Sequence, residues 1–378
     1  MRVLHLFSNS KWTGPAEPAL NLCVALRALG VETDFACAPG SESVINKIVE
    51  TARDRGIEPI LRFHLSKHRN PLWNALDRIA LRAFLKANRY DLVHCHLDND
   101  HRIAAGVAAR DGIPVVRSSY EGLGFPAGRG RLRLLQCAAA IIEPSRRAME
   151  HDAAMFGIPP DRMHLVPGAV DIVRFDPRRE TPDARRWLHL PPDAFVIGIV
   201  ARMQPHRHYE DLFVAFRRLL DNAPQAHLIV VGRGSKQDRV GWRPVRELGI
   251  EKHVHFPGFI DGENYVGMLR AFDVGVFLVP GSDGTCRAAR EIMAMGKPMV
   301  VANRGMLAEI VTHGEDGLVF DGSADALREC LMRLIQDRAR RIDMGRAARR
   351  TAETRYSLEV QSRNVLAVYE QVLRKTKE

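Results

Sequence analysis

The stretch VGVFLVPGSDGTCRAAREIMAMGKPMVVA, residues 274–302, determines the fold that the sequence predicts. It opens and closes on valine-rich apolar runs, residues 274–278 and 299–302, of the kind that form buried strands. The segment between them is rich in alanine and reads as a helix. A strand, a helix and a second strand in this order predict one unit of a parallel sheet.

The same alternation extends in both directions along the chain. Near the amino terminus an apolar-periodic helix at 19–29, stopped by Gly30, separates two predicted strands. The predicted strands of the first half are 3–7, 31–37, 91–96, 113–117, 139–143 and 164–166, and those that precede residue 274 in the second half are 195–200, 227–231 and 253–256. Strands that alternate with helices predict the α/β class, with mostly parallel sheets covered by helices on both faces.

Two domains are expected, because 378 residues exceed what one hydrophobic core usually supports. Residues 177–193, PRRETPDARRWLHLPPD, are rich in proline and charge and show neither the helical nor the strand period. This stretch is predicted to be the connector into a second unit, so the first domain is placed at 1–175.

The charge of the chain restricts the classes of partner. The formal charge is +10, and the segment from Arg102 to Arg147 contains eight arginines and three acidic residues. Nucleic acid is disfavoured as a partner, since aromatic residues make up 7% of the chain and no recognition motif accompanies the charge. An anionic membrane surface, a phosphorylated glycolipid acceptor and a simply solvated basic face all remain open.

A cytoplasmic protein without a metal is expected. The opening MRVLHLFSNS lacks the basic region and cleavage site of a secretory signal, and no apolar stretch reaches about 18 residues. The cysteines contain no C-x-x-C pair, which favours reduced thiols. His94 and His96 flank Cys95, but the sequence shows no second cluster of ligands, so no metal site is predicted.

Residues that directly follow strands are the first candidates for chemistry, because ligands of open parallel sheets bind beyond the carboxyl ends of the strands. Gly14 lies just before the first helix and could present backbone N–H groups to a phosphate, although a plain turn glycine is the alternative. Arg202 and Arg207 follow the strand at 195–200. Two guanidinium groups there could neutralise one diphosphate, unless both are simply solvated.

Asp283 and Glu291 form a carboxylate pair across the loop and helix of the opening stretch. Carboxylates accept hydrogen bonds from the vicinal hydroxyls of a sugar or a ribose. The helix start adds backbone N–H donors for phosphate at Gly284, Thr285 and Cys286. From spacing alone, an ion pair of Glu291 with Arg287 or Arg290 is the simpler interpretation.

The segment resembles the donor-site signature of the retaining glycosyltransferase family four, also called glycosyl transferase group 1, which has the GT-B fold. The family pattern is Glu, seven residues, Glu, then an A-M-A-x-G helix and K-P-V-V. Here Asp283 and Glu291 are followed by MAMGKPMV at 293–300. Further resemblances follow in the family's order: the P-N-G-V-D hinge at 167–171, R-x-x-x-x-K at 202–207, G-x-G at 232–234, and E-I-V with a glycine loop at 309–317. They extend over nearly the whole chain.

The resemblance implies two Rossmann-like domains whose parallel sheets face across a cleft. Residues 1–175 would form the acceptor-side domain and residues 176–356 the donor-binding domain, and a helix at about 357–378 would pack back on the first. It also implies a retaining transfer from a nucleotide-diphosphate sugar, with UDP favoured and GDP possible as the nucleotide. Neither a metal nor another cofactor is implied.

The family's site residues carry over by position. Arg202 and Arg207 would hold the donor diphosphate, Glu291 the ribose, and Asp283 the hydroxyls of the transferred sugar, while Gly14 would meet the distal phosphate. The donor-binding set is completed by Gly232, Gly284, Thr285 and Cys286.

Several residues depart from the family's pattern. Asp283 replaces a glutamate and Arg207 a lysine, which alters reach and hydrogen-bond geometry. Tyr120 stands where members often carry a histidine near the donor sugar, and His96 is the substitute candidate for that polar contact. Thr13 precedes Gly14 where the family often has two glycines.

The predicted acceptor is a saccharide or a lipid-linked saccharide of the cell envelope, such as a lipopolysaccharide core. The loop and helix EGLGFPAGRGRLRLL, residues 121–135, carry Arg129, Arg131 and Arg133 at the place where such enzymes meet the acceptor or the membrane. A GT-B nucleotide-sugar epimerase and a non-catalytic sugar-nucleotide binding protein are the alternatives. A nicotinamide dehydrogenase is disfavoured, because neither half opens with the dinucleotide fingerprint.

Overall fold

A computed structural model describes residues 1–40, 46–108, 110–280 and 286–377. The chain divides into two compact units. The first unit holds residues from Met1 to Gly168 together with the carboxyl-terminal segment that begins at Leu358, and the second holds the described residues from Ala169 to Ser357.

The first unit is built around a six-stranded parallel sheet in the order β2-β1-β3-β4-β5-β6. Its strands are β1 Arg2–Phe7, β2 Glu32–Cys37, β3 Leu92–Cys95, β4 Val115–Ser118, β5 Ala140–Glu143 and β6 Met163–Leu165. The connecting helices are α1 Ala16–Ala28, α2 Lys47–Asp54, α3 Pro71–Ala87, α4 Asp98–Ala108, α5 Arg131–Gln136 and α6 Arg146–Phe156.

The second unit repeats this architecture with a six-stranded parallel sheet in the order β12-β11-β10-β7-β8-β9. Its strands are β7 Phe195–Val200, β8 Ala226–Val231, β9 Val254–Gly258, β10 Val274–Phe277, β11 Met299–Ala302 and β12 Gly317–Phe320. Its helices are α7 Ala184–Trp187, α8 Tyr209–Leu220, α9 Arg243–Glu247, α10 Gly262–Ala271, α11 Arg287–Ala294, α12 Leu307–Ile310, α13 Ala324–Gln336 and α14 Arg338–Arg355.

The predicted α/β class with parallel sheets is confirmed, and the quoted stretch forms β10, α11 and β11 as expected. One edge strand, β12, was missed. It is four residues long and begins with Gly317, so it shows no strand period. Its pairing with β11 makes it a strand, and Gly317 lies so close to the backbone of Met299 that a side chain at this position would overlap it.

The last helix, α15 (Leu358–Lys377), packs in the first unit, where its Val365, Val368 and Val372 join the core formed by α1 and the sheet. Tyr369 lies in the same row and its hydroxyl is 2.5 Å from Nδ1 of His94 on β3. Both side chains are completely buried. The helix is therefore fixed to the sheet by apolar packing and by one buried hydrogen bond.

In the described part of the chain, no helix is both long enough and apolar enough to cross a membrane.

Tyr369→Phe should lower the free energy of unfolding by about 2 kcal/mol, because it removes a buried hydrogen bond and leaves His94 without that partner. Tyr90→Phe is the matched control. Tyr90 donates to Asp34, which is about one-third exposed and also pairs with Arg2, so its loss should cost about 1 kcal/mol or less. Urea unfolding of both variants measures the difference, and a cost for Tyr369→Phe no larger than that of the control would contradict this account of the helix.

Candidate functional site

Each sheet contains a point at which the strand order reverses. In the first unit the reversal lies between β1 and β3, and in the second it lies between β7 and β10. Ligands of open parallel sheets bind at such switch points, beyond the carboxyl ends of the strands. Gly14 and His96 follow β1 and β3, and Arg202 follows β7, so these predicted site residues lie at the switch point of their own unit.

Arg202 and Arg207 occupy different environments although both follow β7. Arg202 is exposed in the loop directly after the strand. Arg207 ends a 3₁₀ turn, Pro205–Arg207, and is only 3% exposed. Its Nη1 donates to the carbonyls of Val279 and Pro280, the residues that follow β10. Arg202 is therefore exposed at the switch point, whereas Arg207 is buried and joins the ends of β7 and β10.

The predicted G-x-G motif lies directly beside Arg202. Gly232 has a positive φ of 135°, and a Cβ there would lie 2.2 Å from the carbonyl oxygen of Ala201. A Cβ at Gly234 would lie 2.0 Å from the carbonyl oxygen of Met203. Because both glycines lack a side chain, the loop after β8 can approach the backbone on either side of Arg202.

Glu291 lies in α11 and is 5% exposed. Its Oε2 accepts a hydrogen bond of 2.5 Å from the hydroxyl of Tyr265 on α10, and its Oε1 lies 3.1 Å from Nε of Arg287. The ion pair that spacing alone suggested is thus present. It helps to fix the carboxylate in one orientation, and a carboxylate oxygen can accept more than one hydrogen bond.

Cys286 is the residue immediately before α11, with a positive φ of 50° and 1% exposure. Asp283, Gly284 and Thr285, the other predicted residues of this loop, lie outside the described residues. Their predicted contacts with sugar and phosphate stay predictions.

His96 and Tyr120, the two candidates for the polar contact to the donor sugar, are hydrogen-bonded to each other. Nδ1 of His96 lies 2.7 Å from the hydroxyl of Tyr120, and its Nε2 lies 3.0 Å from Nδ1 of His5 on β1. His96 is completely buried, so the half-buried Tyr120 is the member of the pair nearer to solvent.

These contacts belong to a cluster of three buried imidazoles. His5 and His94 are paired across β1 and β3, and His96 lies two residues further along on the same face. Their nitrogens lie within 4.8 Å of one another, as in a metal site. His5 is distant from His94 and His96 in the chain, so the sequence alone does not show it as a third possible metal ligand. His94 contacts Tyr369 and Ser118 through its two nitrogens, so the cluster as it stands is a hydrogen-bond network.

Burial keeps these imidazoles neutral. Desolvation lowers the pKa of His5 to about 3 and lowers the pKa values of His94 and His96 well below the ordinary value.

Sequence reasoning missed Asp100, which joins the loops after β1 and β3. Its carboxylate accepts hydrogen bonds from the backbone N–H groups of Ser8, at 2.9 Å, and of Leu97, at 2.9 and 3.0 Å. Burial raises the pKa of Asp100 to about 7 in spite of these donors. An acid two residues into a helix resembles an ordinary cap, so only its contact with Ser8 shows that it holds the β1 loop in place.

Gly14 lies in a turn of this β1 loop, where the backbone N–H of Ala16 donates to Thr13 at 2.9 Å. Helix α1 starts two residues after Gly14, and its N-cap residue, Pro15, provides no side-chain hydrogen bond. The amino-terminal N–H groups of α1 thus lie at the switch point.

One part of the predicted basic surface is wrong. Arg129 and Arg133 are exposed, but Arg131 is 8% exposed and forms a 2.5 Å ion pair with Asp98. Asp98 also accepts from Arg117, whose guanidinium lies 5.3 Å from the ring centre of Phe125. Arg131 therefore anchors α5 to α4 and is not part of the exposed basic surface.

Two family models match the chain, one to each half. The model described as Glycosyltransferase Family 4 matches residues 13–174, and the model described as Glycosyl transferases group 1 matches residues 180–351. The chain belongs to this family of GT-B glycosyltransferases and is a glycosyltransferase.

Relatives support this assignment, and a solved structure supports the fold. A D-inositol 3-phosphate glycosyltransferase from Corynebacterium glutamicum strain R is 27% identical, over 89% of this chain and 86% of its own length. A GDP-mannose-dependent monoacylated alpha-(1-6)-phosphatidylinositol monomannoside mannosyltransferase from the same species is 28% identical, over 68% of this chain and 70% of its own. The Anabaena protein HepE, solved with UDP and glucose, has a TM-score of 0.77 at 19% identity and covers 98% of this chain and 99% of its own.

The neutral imidazoles predict an acid-labile first unit. The unfolded chain binds a proton at His5 as the pH falls through about 6.5, whereas the folded chain does so only near pH 3. The free energy of unfolding therefore decreases as the pH is lowered between these two values. Relative to His5→Phe, the wild type should lose about 2 kcal/mol of unfolding free energy between pH 7 and pH 5. Urea unfolding at both pH values gives this difference.

His68→Phe serves as the control for this measurement, since it replaces a histidine that is exposed in the folded state. Parallel pH profiles for the wild type and His5→Phe would show that His5 is not held neutral.

Gly234→Ala should lower the free energy of unfolding by about 2 kcal/mol, because the new methyl group would overlap the carbonyl of Met203 and displace the loop that carries Arg202. Gly128→Ala is the matched control, because a Cβ at Gly128 meets nothing within 4 Å. Urea unfolding compares the two, and equal stability would show that the β8 loop does not support Arg202.

Proposed function

We propose that the protein is a retaining, metal-independent glycosyltransferase that moves a sugar from a nucleotide-diphosphate sugar to a saccharide or lipid-linked acceptor of the cell envelope. The observation that carries this proposal is the position of Arg202, exposed at the switch point of the second sheet and supported by Gly232 and Gly234. A guanidinium in this position fits the diphosphate of a donor.

The nucleotide is proposed to bind to the second unit. Glu291 would accept hydrogen bonds from the ribose hydroxyls, because its carboxylate is already oriented by Tyr265 and Arg287. The N–H groups at the start of α11 would add positive potential for phosphate. UDP is the favoured nucleotide and GDP the second candidate, in keeping with the UDP bound to HepE and the GDP-mannose dependence of the mannosyltransferase.

The proposed chemistry rests on stabilising the leaving group. The bond between the anomeric carbon and the diphosphate oxygen breaks, and Arg202 stabilises the negative charge that develops on the phosphate. The acceptor oxygen then bonds to the same face of the anomeric carbon and its proton passes to the departing phosphate oxygen. This front-side route accounts for retention and requires no protein acid or base at the spacing found in glycosidases.

Gly14, Asp283 and either Tyr120 or His96 complete the proposed set of substrate contacts, with Gly14 at the distal phosphate and the others at the transferred sugar. Arg207 has a positioning role in this proposal, since its guanidinium donates to the carbonyls that follow β10.

The acceptor class is proposed from the relatives' names, which refer to inositol phosphate and to an acylated phosphatidylinositol mannoside. A lipopolysaccharide core remains our example of an envelope acceptor, and the enzyme would then work at the cytoplasmic face of the membrane. The two named relatives are transferases, which favours transfer over epimerisation or simple binding.

Thermal unfolding in the presence of UDP, GDP, ADP or CMP tests the donor site. One diphosphate nucleotide should stabilise the protein by about 2.7 kcal/mol at a hundred times its Kd, equally with and without magnesium. Arg202→Ala and Glu291→Ala should abolish this stabilisation, because they remove the diphosphate and ribose contacts.

Arg217→Ala is the matched control, since it removes an exposed arginine from α8 in the same unit and should leave the nucleotide effect intact. Stabilisation that needs magnesium, or that survives in both site variants, would contradict the proposed donor site.

A further inference from the structure

Helix α3 turns polar residues towards the protein interior along its first half. Asn74 and Asp77 are 3% and 1% exposed. Nδ2 of Asn74 donates to Oδ1 of Asn99 at 2.8 Å, and the carboxylate of Asp77 accepts from the backbone N–H groups of His64 and Leu65 at 2.8 and 2.9 Å. The inward face of this part of the helix is thus held by hydrogen bonds.

The outward face of the same turns is apolar. Leu72, Leu76 and Ile79 are 64%, 42% and 70% exposed, and Trp73 beside them is 38% exposed. Intervals of four and three residues place Leu72, Leu76 and Ile79 on one side of the helix, opposite Asn74 and Asp77. We refer to these three residues and Trp73 as the α3 stripe. A helix that buries its polar side chains and exposes its apolar ones needs an apolar partner for the exposed face.

Positive charge runs along the α3 stripe. Arg78, Arg82 and Lys86 follow one another at intervals of four residues and are all exposed. Lys67 and Arg69 add exposed charge just before the helix begins. The one acidic residue within α3 is Asp77, which faces inward, so α3 itself adds no carboxylate to the outward face. Arg82 forms a 3.5 Å ion pair with Asp111, which follows α4, so Arg78 and Lys86 are the cations of the helix that lipid phosphates would meet first.

We propose that the α3 stripe docks on an anionic phospholipid bilayer. Leucine, isoleucine and tryptophan would enter the interface between headgroups and acyl chains, while the neighbouring cations pair with lipid phosphates. A second copy of the chain fits this face less well, because a symmetric dimer would bring two sets of cations together with no facing acid on the helix.

The stripe also has a suitable position for an enzyme with a lipid-linked acceptor. Asn99, which holds Asn74, is in the first turn of α4, directly after β3 and three residues from His96. The amino-terminal end of α3 is therefore at the carboxyl edge of the first sheet, where the switch point lies. The inference deepens the proposed function and rests on it in one respect, namely that the acceptor is attached to the membrane.

Co-sedimentation with vesicles tests the proposal. The full chain should pellet with vesicles of phosphatidylcholine and phosphatidylglycerol and not with phosphatidylcholine alone. Leu76→Gln with Ile79→Gln should lower the partition coefficient by about tenfold or more, because two apolar side chains no longer enter the bilayer. Arg78→Gln with Lys86→Gln should lower it by a similar factor and weaken its salt dependence.

Matched controls remove equivalent groups elsewhere in the first unit. Met155→Gln replaces an exposed apolar side chain of α6, and Arg363→Gln with Lys375→Gln removes two charges from α15. Both should bind vesicles as the wild type does. Thermal unfolding with nucleotide is measured on every variant, so that a failed donor site is distinguished from a failed docking surface.

Three results would overturn the inference. The first is failure of the wild type to bind the anionic vesicles. The second is unchanged vesicle binding in the α3 variants, which would place the membrane contact elsewhere, as on exposed Arg129 and Arg133. The third is a dimer, detected by light scattering, that Leu76→Gln with Ile79→Gln dissociates, which would make the stripe a subunit interface.

Discussion

The parallel pairing of strands is the constraint on which the rest of this structure depends. When every strand in a sheet runs in one direction, the loops that carry polar residues collect at one edge, and reversal of the strand order opens a space between two of those loops. Both units use this arrangement. In the second unit the reversal places Arg202 beside the end of β10, and in the first it places the turn of Gly14 beside His96. Residues far apart in sequence become neighbours without any motif that links them.

The two units support their strand ends by different means. In the second unit, backbone packs on backbone, because Gly232 and Gly234 allow the β8 loop to lie against Ala201 and Met203. In the first unit, hydrogen bonds of buried polar side chains support the strand ends. Asp100 accepts from the backbone of Ser8, and the cluster of three imidazoles is hydrogen-bonded to Tyr120 and Tyr369. A buried polar network specifies one arrangement of its side chains, but burial disfavours the charged form of each group. For this reason the pKa values of the imidazoles are lowered and the pKa of Asp100 is raised.

Periodicity and strand-end position predicted the α/β class and the placement of Arg202, whereas the order of motifs along both halves came from the resemblance to the family. They could not separate Arg202 from Arg207, since both follow the same strand, and only the structure shows that Arg207 is buried and donates to the carbonyls of Val279 and Pro280. His5 was invisible as a partner of His96 because register between β1 and β3 is a long-range property. For the same reason Arg131 was counted with its exposed neighbours, whereas its partner Asp98 comes from a different element. The first half of α3 buries polar side chains and exposes apolar ones, and this could be detected only when the burial of Asn74 and Asp77 was known.

The proposed reaction is retaining transfer from a nucleotide-diphosphate sugar, and the stereochemistry of bond cleavage tests it most directly. Proton NMR can follow slow hydrolysis of the α-linked nucleotide sugar that the protein binds, before the free sugar mutarotates. We expect the wild type to release the α-anomer first, and we expect Arg202→Ala not to release it. Initial release of the β-anomer would contradict the proposed reaction, since inversion requires attack from the face opposite the diphosphate.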